Sequence, residues 1–473
     1  MPENKISRLS EDYTSNISDL RARMRVNKSF DLIEKHLSVG GRDMCFFYVD
    51  GFVKDGEMQR IMQCLLSMKT IGSARETELR LPYVEVGLCE DMDKLVLAVL
   101  SGQSAVLAES FGASAILVDT RTYPARSTEE PQSDRVMQGA RDGFVETLVV
   151  NTALIRRRIR DERLTMEHFN IGGSSKTDVV VCYMDGICDK KLLDFIKKRL
   201  SEVEPRSLTL GFQSLAETLV RRGWWNPFPK IRTTERPDTA AAQVLEGSIL
   251  VICDTSPQVM ILPTSIFSYL EQTDDFYFPP LTGTYLRIIR TLILLLSVVI
   301  TPLWYLVLEY DGILPSSLSF LVPDEPGALP IILQLFLTEI AIDGLKIASM
   351  NTPDTLSSSL SIIGALILGD FAVGVGWLCE DVILYMAFVA IANFAQQNHE
   401  LGYAFKFMRM MILALTFLFG IWGFGAGIVL FLVFVATNVT VTGKLHYLYP
   451  LVPFSPRALS RLFIRYKKHD FDN

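Results

Sequence analysis

The sequence predicts two tandem cytosolic α/β subdomains followed by a polytopic transmembrane helix bundle, and three observations carry that reading. Residues 1–285 are rich in Arg, Lys, Asp and Glu, whereas 288–441 hold long apolar runs that no soluble core of this size needs. An apolar run, an Asp-Gly turn and an amphipathic stretch occur in that order twice in the charged half. A chain of 473 residues also exceeds what one core fills.

The repeat is the strongest local signal. Residues 45–68 read CFFYVDGFVKDGEMQRIMQCLLSM and 179–203 read VVVCYMDGICDKKLLDFIKKRLSEV, with Tyr48, Asp50 and Gly51 matched by Tyr183, Asp185 and Gly186. Each is a strand that stops at a turn before a helix with apolar residues at helical spacing. Downstream, SAVLAESFGASAILVDTRTYP (104–124) pairs with GSILVICDTSPQVMILPTSIF (247–267), two hairpins turning at Phe111-Gly112-Ala113 and Thr255-Ser256-Pro257. The division is a tail over 1–29, subdomain 1 over 30–135, a connecting helix with a basic cluster over 136–177, subdomain 2 over 178–285, a transmembrane helical domain over 286–441 and a basic cytosolic tail over 442–473.

The connecting segment 136–163 reads as an amphipathic helix ending in Arg156, Arg157, Arg158 and Arg160. These arginines suit anionic lipid head groups or a partner's carboxylates, or a solvated face with pairs to Asp161 and Glu162. The sequence IRTTERPD, carrying Arg232, Glu235 and Arg236, reads as a folded linker or a subunit contact. Met1 to Phe30 has no apolar segment ahead of a cleavage site, which predicts a cytosolic N-terminal region.

No catalytic constellation emerges. The seven cysteines form no CxxC pair, and none of the five histidines has metal-ligand spacing. His36 and His168 read as members of polar helices. There is no phosphate loop, nucleophile elbow or HExxH string, and Asp50 and Asp185 read as turn formers rather than acid/base groups. A net charge of −7 leaves no case for nucleic acid. No cofactor is expected.

In the apolar half, residues 288–308 form the clearest span, with Arg287 and Arg290 before it and Glu309, Asp311, Asp324 and Glu325 after it, an asymmetry that puts the N-terminal region inside. Trp304 and Tyr305 stand where an aromatic belt is expected. The helix over 330–350 carries Glu339, Asp343 and Lys346 on one face. A third, 355–378, carries a stripe of Ser358, Ser361, Ala365, Gly369, Ala372 and Gly376, either a close-packing seam or the lining of a polar conduit with Asp370 at one mouth. A short fourth segment (382–394) and a long glycine-broken fifth (407–436) follow. Five crossings would place the basic tail outside, so an even number is required: either the charged second helix is re-entrant or interfacial, or the fifth element is a hairpin. Ionisable groups at bilayer depth are costly, so Glu339, Asp343 and Asp370, with Ser358 and Ser361, are the candidate ion pathway. The alternative is that Lys346 merely neutralises Asp343.

Several strings are specific: RTYPARSTEEPQSDRVMQGARDGFVETLVVNTALIRRRIRDERL (121–164), NPFPKIRTTERPD (226–238), LEGSILVICDTSP (245–257), GTYLRIIR (283–290), SFLVPDE (319–325), NTPDTLSSSL (351–360) and DVILYMAFVAIANFA (381–395). Together they resemble the A-type subunits of the GerA spore germination family, and within it the stage V sporulation AF branch more than the germinant-receptor subunits. The resemblance implies a multi-pass protein of the spore inner membrane, an oligomer, pentameric by family analogy, that acts with other germination membrane proteins and releases cations. A non-conducting scaffold that assembles receptor components is the alternative. A lipid-modifying enzyme is a third reading, for which no nucleophile, metal site or phosphate loop was found.

Overall fold

The structure, a computed structural model, describes residues 7–123, 139–202, 211–220, 225–272, 274–310, 316–353, 362, 364, 366–396, 398–439, 441 and 447–464. The chain divides into two compact units: Met1–Arg221 with Ile231–Thr264, and Arg222–Lys230 with Ser265–Asn473.

The first unit contains the repeat twice, element for element. Its first copy runs α1 (Tyr13–Met24), β1 (Leu32–Val39), β2 (Arg42–Val49), α2 (Asp55–Leu66), α3 (Ala74–Arg80), β3 (Val86–Cys89), α4 (Met92–Leu100), β4 (Ser104–Ala108) and β5 (Ala115–Val118). The second runs α5 (Leu148–Arg158), β6 (Leu164–Ile171), β7 (Thr177–Met184), α6 (Lys190–Ser201), α7 (Phe212–Leu219), β8 (Arg232–Thr234), α8 (Pro237–Leu245), β9 (Ile249–Cys253) and β10 (Val259–Leu262). The sheets are antiparallel with matching orders, β1-β2-β4-β5-β3 and β6-β7-β9-β10-β8. Alternation along β2 explains the layering: Cys45, Phe47 and Val49 face the core shared with α1 and α4, and Met44 and Phe46 face the core shared with α2.

Local chemistry sets the boundaries. Asp12, Asp91 and Asp189 each accept backbone N–H bonds at the start of α1, α4 and α6. Gly51 turns β2 into α2 at φ +78°, and a Cβ there would press on Val149 and Ala153 of α5, so only glycine meets both demands. Asp50 accepts from the Gly51 N–H at 3.0 Å, the part of a turn former.

Two features differ from the sequence reading. Among the described residues of the connecting segment, which begin at 139, the helix is only Leu148–Arg158, because the Asn151 side chain bonds both the N–H and the C=O of Val145 and holds the preceding chain extended. The second sheet therefore starts inside the segment assigned to the connector, at Leu164. Its outer strand β6, like β1, is a polar edge strand buried mainly at its ends, so no apolar alternation announces it. IRTTERPD is likewise no linker: it supplies the edge strand β8 and the first turn of α8.

The second unit is helical: α9 (Asp274–Tyr277), α10 (Pro280–Glu309), α11 (Ile331–Asn351), a π-helical turn (Ile367–Phe371) running into α12 (Ala372–Gly374), α13 (Glu380–Phe394), α14 (His399–Thr437) and α15 (Pro456–Phe463). Among the described residues, α10 and α14 are long and apolar enough to cross a bilayer. Helix α14 is not straight. Gly420 has φ 54° and ψ −133°, and beyond it the chain folds back: a Cβ at Gly427 would lie 3.1 Å from the Ile412 Cα, and one at Gly423 would collide with the Leu415 carbonyl. In a continuous helix Gly427 and Ile412 would be ~22 Å apart. The fifth apolar element is thus a helical hairpin whose arms cross at two glycines.

Two flanking features are also used differently from expectation. Arg287 and Arg290 fold onto Asp275, which is fully buried, at 3.3 and 3.0 Å. Trp304 is not part of a belt: it is buried, donates to the Leu321 carbonyl at 2.8 Å and stacks on Tyr385.

Candidate functional site: a buried ion-pair network in the helical unit

Helix α11 places Glu339, Asp343 and Lys346 on one face by their i, i+4, i+7 spacing. Facing them, α14 contributes Lys406 and Arg409, at i and i+3. The Arg409 Nη2 donates to both carboxylate oxygens of Glu339, at 2.7 and 2.8 Å, while its Nη1 donates to the Ser297 carbonyl of α10 at 3.2 Å. Lys406 reaches Glu339 at 3.3 Å and also pairs with Asp343. Glu339, Lys406 and Arg409 are all buried. One network therefore ties α10, α11 and the first arm of α14 together. Beside it lies a cavity of about 30 Å³ lined by Asp343, Lys346, Asn393, His399 and Tyr403 among others, room for about one water molecule.

This geometry corrects the charge reading of the second helix. Asp343 is neutralised by Lys406, and Lys346 instead stands over the Tyr403 ring, 4.8 Å from its centre. Glu339 and Asp343 meet Lys406 and Arg409 in equal number, so both acids of α11 stand next to a cation. Asp370 is exposed in the π-helical turn and joins no part of the network. Ser358 and Ser361 lie outside the described residues.

Sequence reasoning assigns no role to Lys406 or Arg409, because a fifth apolar segment starting at Phe407 leaves Lys406 outside it and places Arg409 within a run read for its apolar residues. The available signal was the string AFKFMRMM, two cations three residues apart inside an otherwise apolar run.

The candidate contact arginines Arg156, Arg157, Arg158 and Arg236 are engaged within the first unit. Arg156 is fully buried and pairs with Asp31 at 2.8 Å, with further bonds to the Ser29 hydroxyl and the Leu164 carbonyl. Phe30 N–H bonds the Met166 carbonyl at 3.0 Å, so the lead-in to β1 is stitched to β6 of the other repeat. Arg157 lies over the Tyr123 ring and Arg158 pairs with Asp142. Arg236, also fully buried, pairs with Asp238 and donates to the Ala140 carbonyl, while Glu235 accepts from Gln258. Arg232 sits in β8, paired with Ile261. Lipid binding by Arg156 to Arg158 would require breaking these contacts.

Across residues 20–473 the sequence matches the model of a family described as Bacillus/Clostridium GerA spore germination protein. The chain belongs to the GerA family. Among GerA-related proteins, stage V sporulation protein AF of Bacillus subtilis (strain 168) is 34% identical over 99% of this chain and 96% of its own length. The membrane protein YfkQ of the same organism is 30% identical over 90% of this chain and 84% of its own. Among solved structures, the N-terminal domain of the A subunit of the Bacillus megaterium spore germinant receptor GerK3 is 24% identical, covers 55% of this chain and 97% of its own, and superposes with a TM-score of 0.42.

Proposed function

We propose that this GerA-family protein is a multi-pass protein of the spore inner membrane that acts in germination, and that copies of its helical unit assemble, together with other germination membrane proteins, into a cation-conducting pathway. The observation that carries this reading is the ion-pair network itself: Glu339, Lys406 and Arg409 are buried in the helical unit, where ionised groups are costly and mark function by default. In such a pathway the Arg409 and Lys406 contacts hold the carboxylates closed, and conduction requires them to exchange partners. No bond is made or broken in this scheme, and no cofactor takes part.

The test is ion current across a planar bilayer holding the purified full-length protein in asymmetric potassium chloride, with Glu339→Gln and Asp370→Asn compared at equal insertion. The expected result is discrete cation-selective openings whose conductance falls in Glu339→Gln. Silence from folded, inserted protein would overturn the channel. One observation favours a second reading, a non-conducting scaffold: both acids of α11 already have a cationic partner, so the network has the make-up of a structural clamp. Under that reading Glu339→Gln disrupts assembly, seen as a change in oligomer size.

A further inference from the structure

Strand register brings together three side chains whose spacing in sequence gives no hint of it. Glu34 and His36 are two residues apart on β1 and so share a face. Cys45 on β2 stands directly opposite His36 in the antiparallel ladder and points to the same face. The His36 Nε2 lies 2.8 Å from Glu34 Oε1 and 4.0 Å from the Cys45 sulfur, which is 3.8 Å from the same carboxylate oxygen. All three donor atoms lie within 4.8 Å of one another.

We propose that Glu34, His36 and Cys45 form a binding site for a divalent transition metal, zinc by preference, at the edge of the first sheet. A tetrahedral zinc ion with bonds of about 2.0–2.3 Å holds its O, N and S donors about 3.3–3.7 Å apart, and the observed triangle needs sub-ångström adjustment to reach that. The donor set is the mixed N, S and O type that suits zinc and excludes magnesium or calcium. Three protein ligands leave a fourth position for water, as open zinc sites do.

The surroundings fit. Arg21 of α1 grips Glu34 with Nε on Oε2 at 2.8 Å and Nη2 on Oε1 at 2.6 Å. The Oε2 bond is the kind of outer contact that orients a ligating carboxylate. The Tyr13 hydroxyl, also from α1, is buried without a hydrogen-bond partner among the described residues, and burial followed by the neighbouring Cys45 holds its pKa up. The site is reachable, because β1 is an edge strand and the His36 side chain is 56% exposed.

The experiment titrates Co²⁺ into the full-length protein in detergent micelles, carried without a polyhistidine tag. The absorption reports thiolate–cobalt bonding and the endpoint reports stoichiometry. One Co²⁺ per chain, displaced by Zn²⁺, with the thiolate band absent from Cys45→Ser, is the expected result. His36→Ala, at an exposed position that leaves folding intact by circular dichroism, is expected to weaken binding by more than about tenfold. Absence of the band from the parent protein, or a band that persists unchanged in Cys45→Ser or His36→Ala, overturns the proposal.

Discussion

Arg156 and Arg409 are among the largest fully buried side chains of the protein, and each is held by a carboxylate that is also buried, Asp31 and Glu339. Removing one partner of such a pair costs about 3–5 kcal/mol because the other charge stays behind unpaired, whereas replacing both with apolar residues of similar size is often close to neutral. Arg156→Met is therefore expected to lower the resistance of the detergent-solubilised protein to denaturant by that amount, and Asp31→Leu with Arg156→Met to recover most of it. Equal losses in the single and double variants would show that the pair stabilises beyond charge neutralisation. A second expectation concerns pH. The Arg21 hydrogen bonds hold the Glu34 carboxyl below its ordinary value of 4.5. Its contribution to stability is thus present above that value and is lost as pH falls through the lower folded value. In Arg21→Gln the acid limb of the stability profile should flatten at the low end, and an unchanged profile would remove Glu34 from it. At this scale the sequence was least informative. The three acids and Lys346 could be placed on helices by period, but pairing across helices is a property of packing, and nothing along the chain says that Lys406 rather than Lys346 reaches Asp343. His36 shows the same limit: read as part of a polar helix, it lies on a strand whose neighbour is set by register, so its relation to Cys45 is invisible to spacing rules.

Among elements, the hairpin at Gly420 makes the sharpest claim. Its arms, residues 399–419 and 421–437, are ~31 and ~25 Å long at 1.5 Å per residue, close to the ~30 Å thickness of a bilayer core. Single cysteines at Asn398 and Asn438 should consequently be labelled by an impermeant maleimide from the same side of the membrane. Labelling from opposite sides would mean that α14 runs straight through. Gly423→Ala should disturb the arms, since the new methyl collides with backbone rather than with the end of a flexible side chain, and loss of same-side labelling or of yield would register it. The sequence narrowed this element to a hairpin or a partner of a re-entrant second helix through the charge of the tail. It could not choose because glycines serve equally as breaks and as packing positions. The α/β repeat was legible where apolar runs meet Asp-Gly turns, at β2, β7 and the two hairpins. It was illegible at β1 and β6, where edge strands bury little and alternate weakly.

On the scale of the whole molecule, the division into a charged α/β part and an apolar helical part followed from composition, and membership of the GerA family from its strings. The order of strands and the way the chain is shared between the units did not follow. Residues 222–230, placed by sequence in the second α/β subdomain, belong to the helical unit. There Phe228 packs edge-on against Phe405 and Tyr447, and Asn226 donates to the Phe434 carbonyl at 2.7 Å at the far end of the hairpin. The reason is local: NPFPK is short, proline-bounded and apolar at its centre, and its phenylalanine is buried among aromatic neighbours from three other segments. The polypeptide thus passes from one unit to the other three times, at 221–222, 230–231 and 264–265. No single cut can release either unit intact. A fragment beginning at Ser265 would lack the strip that fills the aromatic pocket, and one ending at Thr264 would carry that strip with nothing to hold it. Modular exchange with a relative must therefore move two stretches of gene at once, and a swap made at the apparent boundary would be expected to yield chimaeras whose helical part is missing one of its own pieces.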